Sequence, residues 1–139
     1  PAARHMSAAP VLHLRLEGAR MGSISGFYHE INRVFMAGED WELGESLDAL
    51  NDLLYGGFGA ASGDGPVCVA WADMAQSRAA LGREATRAWL LAKLAAPERF
   101  NAAAIRAQLE ALEQGAGETY FEIVLSVFAG HPRFRIVPE

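Results

Sequence analysis

Residues 66–73 read PVCVAWAD, and the fold turns on what kind of element this is. Six apolar residues, Val67 to Ala72, stand between a proline and an acid. The run is too short for a buried helix, and its valines and tryptophan favour a strand. No polar residue alternates with the apolar ones. That pattern predicts a strand buried on both faces, as in a parallel sheet. Parallel partners must be joined by crossovers, so helices should lie on either side of it in the chain.

Upstream, VLHLRLEG (11–18) sets Val11, Leu12, Leu14 and Leu16 against His13 and Arg15 and breaks at Gly18, which predicts a first strand. A helix near 26–36 follows, with Ser25 as N-cap, Gly38 as stop, and Phe27, Ile31, Val34 and Phe35 on one face. A second helix should run from 46 or 47 to 55, capped by Ser46. GGFGAASGDG (56–65) is a loop. It follows a helix, precedes a strand and lacks the Lys and Ser/Thr of a phosphate-binding loop, so it is not one.

Downstream, Met74 to Leu94 reads as two helical pieces hinged near Gly82, closed by Pro97. Asn101 can cap a further helix burying Ile105, Leu109 and Leu112 and ending at Gly115. The apolar TYFEIVLSVF (119–128) predicts a third strand, and 133–137 a short edge strand between prolines. The sum is a single α/β domain over residues 6–139, with a small parallel sheet flanked by helices. Residues 1–5, ahead of Met6, are expected to be an expression-vector remnant.

With 51% hydrophobic and 21% charged residues, the composition is that of a globular chain. No apolar run reaches the ~18 residues that span a bilayer. The single cysteine, Cys68, allows no internal disulfide and predicts a reducing, cytoplasmic setting with a buried, inert thiol. Trp71 and Trp89 fall within apolar patterns and are expected in the core. His13, His29 and His131 lack metal-ligand spacing, so no metal or cofactor is expected.

The net charge of −5 argues against direct binding of nucleic acid, and its distribution says more. Residues 34–77 hold eight acids and no Lys or Arg, leaving nine acids against twelve bases elsewhere. Within this region, GESLDALND (44–52) forms the second helix. Leu47, Leu50, Leu53, Leu54 and Ala49 share one arc, and Glu45, Asp48, Asn51, Asp52 and Tyr55 the other. The helix dipole favours Asp48 in the first turn; Asp52 lies too far along to gain much. Like charges at i and i+4 repel by about 0.2–0.5 kcal/mol, and no neighbouring base relieves them. A solvated face, a catalytic carboxylate pair and a Mg²⁺ site are the alternatives, but nothing in the sequence shows a pocket or positioning group for the last two. Trp41, in GEDWELGE, is either a hydrophobic staple or an exposed contact residue.

LRLEGARMGSISGFYHE, GESLDALNDLL, PVCVAWADMAQSR and YFEIVLS, in that order, resemble the barstar family of intracellular ribonuclease inhibitors over residues 11–126. The resemblance implies a monomeric inhibitor that presses an acidic helix and its preceding loop into the basic active site of a cognate ribonuclease. Its partner is thus a protein, with neither nucleic acid nor membrane bound directly. Asp48 and Asp52 correspond to the family's partner-facing aspartates, the turn ending at Leu43 and Gly44 to its aromatic turn, and Glu113 to a glutamate late in the helix before the last strand. The chain departs from the family at Glu42 and Leu43, where two tyrosines are usual, with Trp41 one place earlier, and at Asn51, where a tryptophan is usual. The loop at 56–65 is longer, 83–100 is inserted, and 127–139 extends the end. The expected contact set is Asp48, Asp52, Trp41, Glu42, Leu43, Gly44, Glu45, Asn51, Tyr55 and Glu113. An acidic adaptor for some other basic protein is the alternative.

Overall fold

A computed structural model describes residues 10–96 and 100–139. The expectations about residues 1–5 and Pro97 lie outside the described residues. Strand β1 (Leu12–Glu17) leads through a short 3-10 turn (Gly18–Arg20) into helix α1 (Ile24–Phe35) and helix α2 (Leu47–Leu54). Strand β2 (Val67–Ala72) follows, then α3 (Met74–Ala80), α4 (Arg83–Leu94), α5 (Ala102–Glu113), α6 (Tyr120–Ala129) and strand β3 (Phe134–Pro138). The sheet is parallel throughout, in the order β1-β2-β3, with Leu14 opposite Val69 and Val69 opposite Ile136. The α/β architecture is the one the apolar run at 66–73 predicts.

The third strand is not where the hydropathy placed it. Residues 119–128, expected as a strand, form α6, and β3 is the proline-flanked segment that was expected only as an edge addition. Thr119 caps α6 by accepting from Glu122 N, while the Glu122 carboxylate accepts from Thr119 N: a reciprocal capping box. Tyr120, Phe121, Val124 and Phe128 are buried, and Glu122, Ser126 and Ala129 are exposed, a helical rather than a two-residue period. A ten-residue apolar stretch is ambiguous by hydropathy alone; the cap decides it. Two further α6 amides are satisfied from the α3–α4 corner, Tyr120 N by Thr86 Oγ1 (2.7 Å) and Phe121 N by Leu81 O (3.1 Å).

Burial of β2 also differs from expectation. Val67, Val69 and Trp71 are buried, but Cys68 and Ala70 on the opposite face are half-buried, so the thiol is not deep in the core. Charged side chains of the sheet itself span part of that face: Arg15 on β1 donates to Glu17 (2.9 Å) and to Glu139 beyond β3 (2.7 Å).

The core lies between the other face of the sheet and the helices, with Trp71 fully buried and surrounded by the rings of Phe27, Phe121 and Phe128. Ser23 rather than Ser25 caps α1, accepting from Gly26 N. A second, small cluster of Leu90, Ile105 and Leu112 holds α4 and α5 together. Trp89, half-buried rather than fully in the core, touches both clusters and places its ring edge-on to Tyr120, 4.9 Å between centroids.

Candidate functional site

Helix α2 is oriented by its leucines. Leu50, Leu53 and Leu54 are fully buried, and Ser46 fixes the helix start by accepting from Ala49 N (3.0 Å). The opposite arc faces outward: Asp48 and Asp52 are exposed, Asn51 is half-buried, and Tyr55 is 71% exposed. Among the described residues neither aspartate has an ion-pair partner within 4.0 Å.

The segment before α2 is held from below. The side chain of Asn32, buried on α1, accepts from Leu43 N (2.7 Å) and donates to Leu43 O (3.3 Å) and Tyr28 O (3.0 Å). Leu43 is therefore buried, not a surface contact, while Glu42, Gly44 and Glu45 are exposed around it. Glu45 accepts from Ser25 Oγ (2.9 Å). Trp41, 45% exposed, packs against Phe58 with 4.9 Å between centroids, so its apolar partner is in the glycine loop rather than in α2. Glu39 joins the same two segments by accepting from Gly59 N (2.8 Å).

The glycine loop closes through Gly63 N to Gly56 O (2.8 Å), with Gly56, Gly59 and Gly63 at positive φ. At Gly56 a Cβ would lie 2.1 Å from Gly63 O, which is why a long loop can be drawn so tight only with glycine there. Arg133 locks it from the β3 side, donating to Gly65 O (2.9 Å) and to Ala61 O. The turn before β3 also supplies His131, whose Nε2 lies 2.7 Å from Asn51 Oδ1 and whose ring meets Tyr55 edge-on at 4.7 Å. The acidic arc is thus a rigid face built from several segments.

Glu113 does not lie on the helix before the last strand, the place the resemblance gave it. It ends α5, where its carboxylate pairs with Arg87 (3.0 Å) and its carbonyl accepts from Arg83 (2.7 Å). The helix preceding the last strand is α6, whose acid, Glu122, sits in the first turn as a cap. The register that placed a late glutamate at Glu113 rested on taking 119–128 as the strand.

Sequence reasoning also missed Lys93 of α4. Its Nζ stands over the Trp89 ring, 4.0 Å from the centroid, and 5.3 Å from that of Phe100, in a groove of about 470 Å³ shared with Glu45 and Asp48. Burial draws the Lys93 pKa down, and the Asp48 carboxylate works against that by favouring the charged form. The Trp89–Lys93 spacing of one helical turn was a visible signal for the cation–π pair; its approach to Asp48 was not.

Against known families, a model described as Barstar (barnase inhibitor) matches residues 11–115. No curated protein matches the chain. Three parallel strands, a capped acidic helix after the first crossover helix, and a family match covering well over half its length lead to one conclusion: the chain belongs to the barstar family.

Proposed function

We propose that this protein is a stoichiometric inhibitor of a cognate ribonuclease, acting inside the cell as an immunity or antitoxin protein. The exposed arc of α2 and the loop before it would cover the basic groups that otherwise bind RNA phosphate. One observation carries this reading: Asp48 and Asp52 project outward from a capped, well-packed helix without an ion pair among the described residues, in a chain of an inhibitor family. Their counter-charges would arrive on the partner, which speeds encounter by steering and fixes the binding register. The face offers charge and shape rather than a reacting group, so a binder is the reading, not an enzyme.

The departures at Glu42 and Asn51 bear on which ribonuclease is met. Glu42 adds a further exposed acid where the family has an aromatic residue, and Asn51 is engaged by His131. The partner would then be recognised more by charge than by aromatic contact at these two positions.

Co-purification from the source cells, followed by an RNA-cleavage assay of the bound material, tests the proposal. A partner that cleaves RNA once released, and is silenced again at one-to-one stoichiometry, is the expected result. A bound basic protein without nuclease activity would establish the adaptor reading instead.

A further inference from the structure

The groove beside α2 is lined on its far side by Trp89, Ala92 and Lys93 of α4, which brings a cation to one end of the acidic arc. We propose that Lys93 is a resident counter-cation of Asp48, so that Asp52 is the carboxylate left open to a partner and helix α4 sets where that partner's cations must fall. This rests on the reading of α2 as the partner-binding face and deepens it.

Lys93 and Asp48 line the same groove together with Glu45, and the lysine stem lies along Trp89, which is itself fixed by Tyr120 and by the α4–α5 cluster. Its ammonium therefore cannot swing freely into solvent without leaving both aromatic rings. Lys93 and Asp48 form no ion pair within 4.0 Å, so the effect between them is a field across the groove rather than a direct bridge. Glu45 lines the same groove and accepts from Ser25 Oγ, but of the two carboxylates it is Asp48 that bears on the lysine. Asp52, one turn further along α2, is not among the groove's lining residues. The two carboxylates, equivalent in sequence, are thus unequal in the folded protein. A partner whose cation must sit on Asp48 meets a positive neighbour; one whose cation sits on Asp52 does not.

The test needs no ribonuclease. Side-chain carboxyl resonances of Asp48 and Asp52 are followed by NMR in the wild type, Lys93→Met and Lys93→Arg as a tetra-arginine peptide is added at low salt. Lys93→Met keeps the stem on Trp89 and removes the charge; Lys93→Arg keeps both. Lys93→Arg should respond as the wild type does. In the wild type the peptide should perturb Asp52 more than Asp48, and in Lys93→Met its affinity should rise about 1.5- to 5-fold as Asp48 becomes available. A peptide affinity and an Asp48 response unmoved by Lys93→Met, or equal peptide responses at the two aspartates of the wild type, overturn the proposal. Failure to recover a nuclease would overturn the inhibitor reading while leaving the Lys93–Asp48 pairing as measured.

Discussion

Asp48 and Asp52 differ in what the fold has done to them, although both point outward from one short helix. Truncating Asp52 should cost binding far more than folding. Asp52→Ala is expected to weaken the ribonuclease complex by about 2–5 kcal/mol, because it strands a buried cation on the partner; barnase–barstar is among the systems behind that range. Asp48→Ala should cost less. Neither should lower the melting temperature by much: Asp52 has no ion pair among the described residues, and at Asp48 relief of the mild i,i+4 repulsion offsets the loss of the dipole and Lys93 interactions. Calorimetric titration beside thermal melts checks both halves; a folding loss with affinity spared would remove Asp52 from the interface. Gly18 makes the opposite case, a residue that matters only for folding. A Cβ there would lie 2.4 Å from both Ala72 O and Asp73 O and 2.7 Å from Ser77 Oγ, which accepts from Trp71 Nε1. Two of those neighbours are backbone and cannot yield cheaply. Gly18→Ala should destabilise by about 1–3 kcal/mol or more in a denaturant titration, with binding unchanged in the fraction that folds.

Among the elements, α1 does most to connect sheet and site. Its Glu30, only 2% exposed, accepts from Glu17 N at the end of β1 (2.7 Å) and from Arg33 (2.8 and 2.6 Å). Burial alone would raise the carboxyl's pKa, but Arg33, the Glu17 amide and Arg20 outweigh it and hold the pKa below the ordinary carboxylate value. The sign follows. An acid whose pKa is lower folded than unfolded contributes stability above its unfolded pKa, about 4.3, and loses it as pH falls through the folded value. Glu30→Gln should therefore lower stability at neutral pH and flatten the acid limb of the stability–pH curve, read from melts between pH 7 and 3; an unchanged acid limb would refute the assignment. On the same helix Asn32 seats the loop before α2, so α1 positions the proposed interface although it carries none of the residues expected there. Helix α6 shows what local pattern reading misses. Its hydropathy fits a strand, and its Thr119–Glu122 capping box, visible as T-x-x-E, is the stronger signal.

At the scale of the whole molecule, the family match and the folding unit do not coincide. The match ends at residue 115, but α6 and β3 follow, and they contribute Phe121, Val124, Phe128 and Phe134 to the buried core. A chain cut after residue 115 should leave β2 without a neighbour on one side and the Trp71 cluster open. Such a fragment is expected to lose the cooperative thermal transition; a sharp melt would show that the sheet's third strand is dispensable. Long-range electrostatics also belongs to this scale. With the acids gathered in residues 34–77, association with a basic ribonuclease should slow steeply as salt rises, while dissociation changes little. Stopped-flow rates across ionic strength decide this, and a flat association rate would mean that steering plays no part.

What the sequence determined alone is whatever local chemistry dictates. Strands β1 and β2, the caps of α2 and α5, the break at Gly82 and the outward face of Asp48 and Asp52 follow from periodicity and capping within a few residues. The tertiary structure decided the rest: that 120–129 is helix and 134–138 the third strand, that Asn32 and Arg133 pin two loops, that His131 meets Asn51 from 80 residues away, and that Lys93 stands beside Asp48. The reason is physical. An apolar run satisfies helix and strand almost equally, and a charge has no fixed neighbour, until packing selects which distant side chains share a surface.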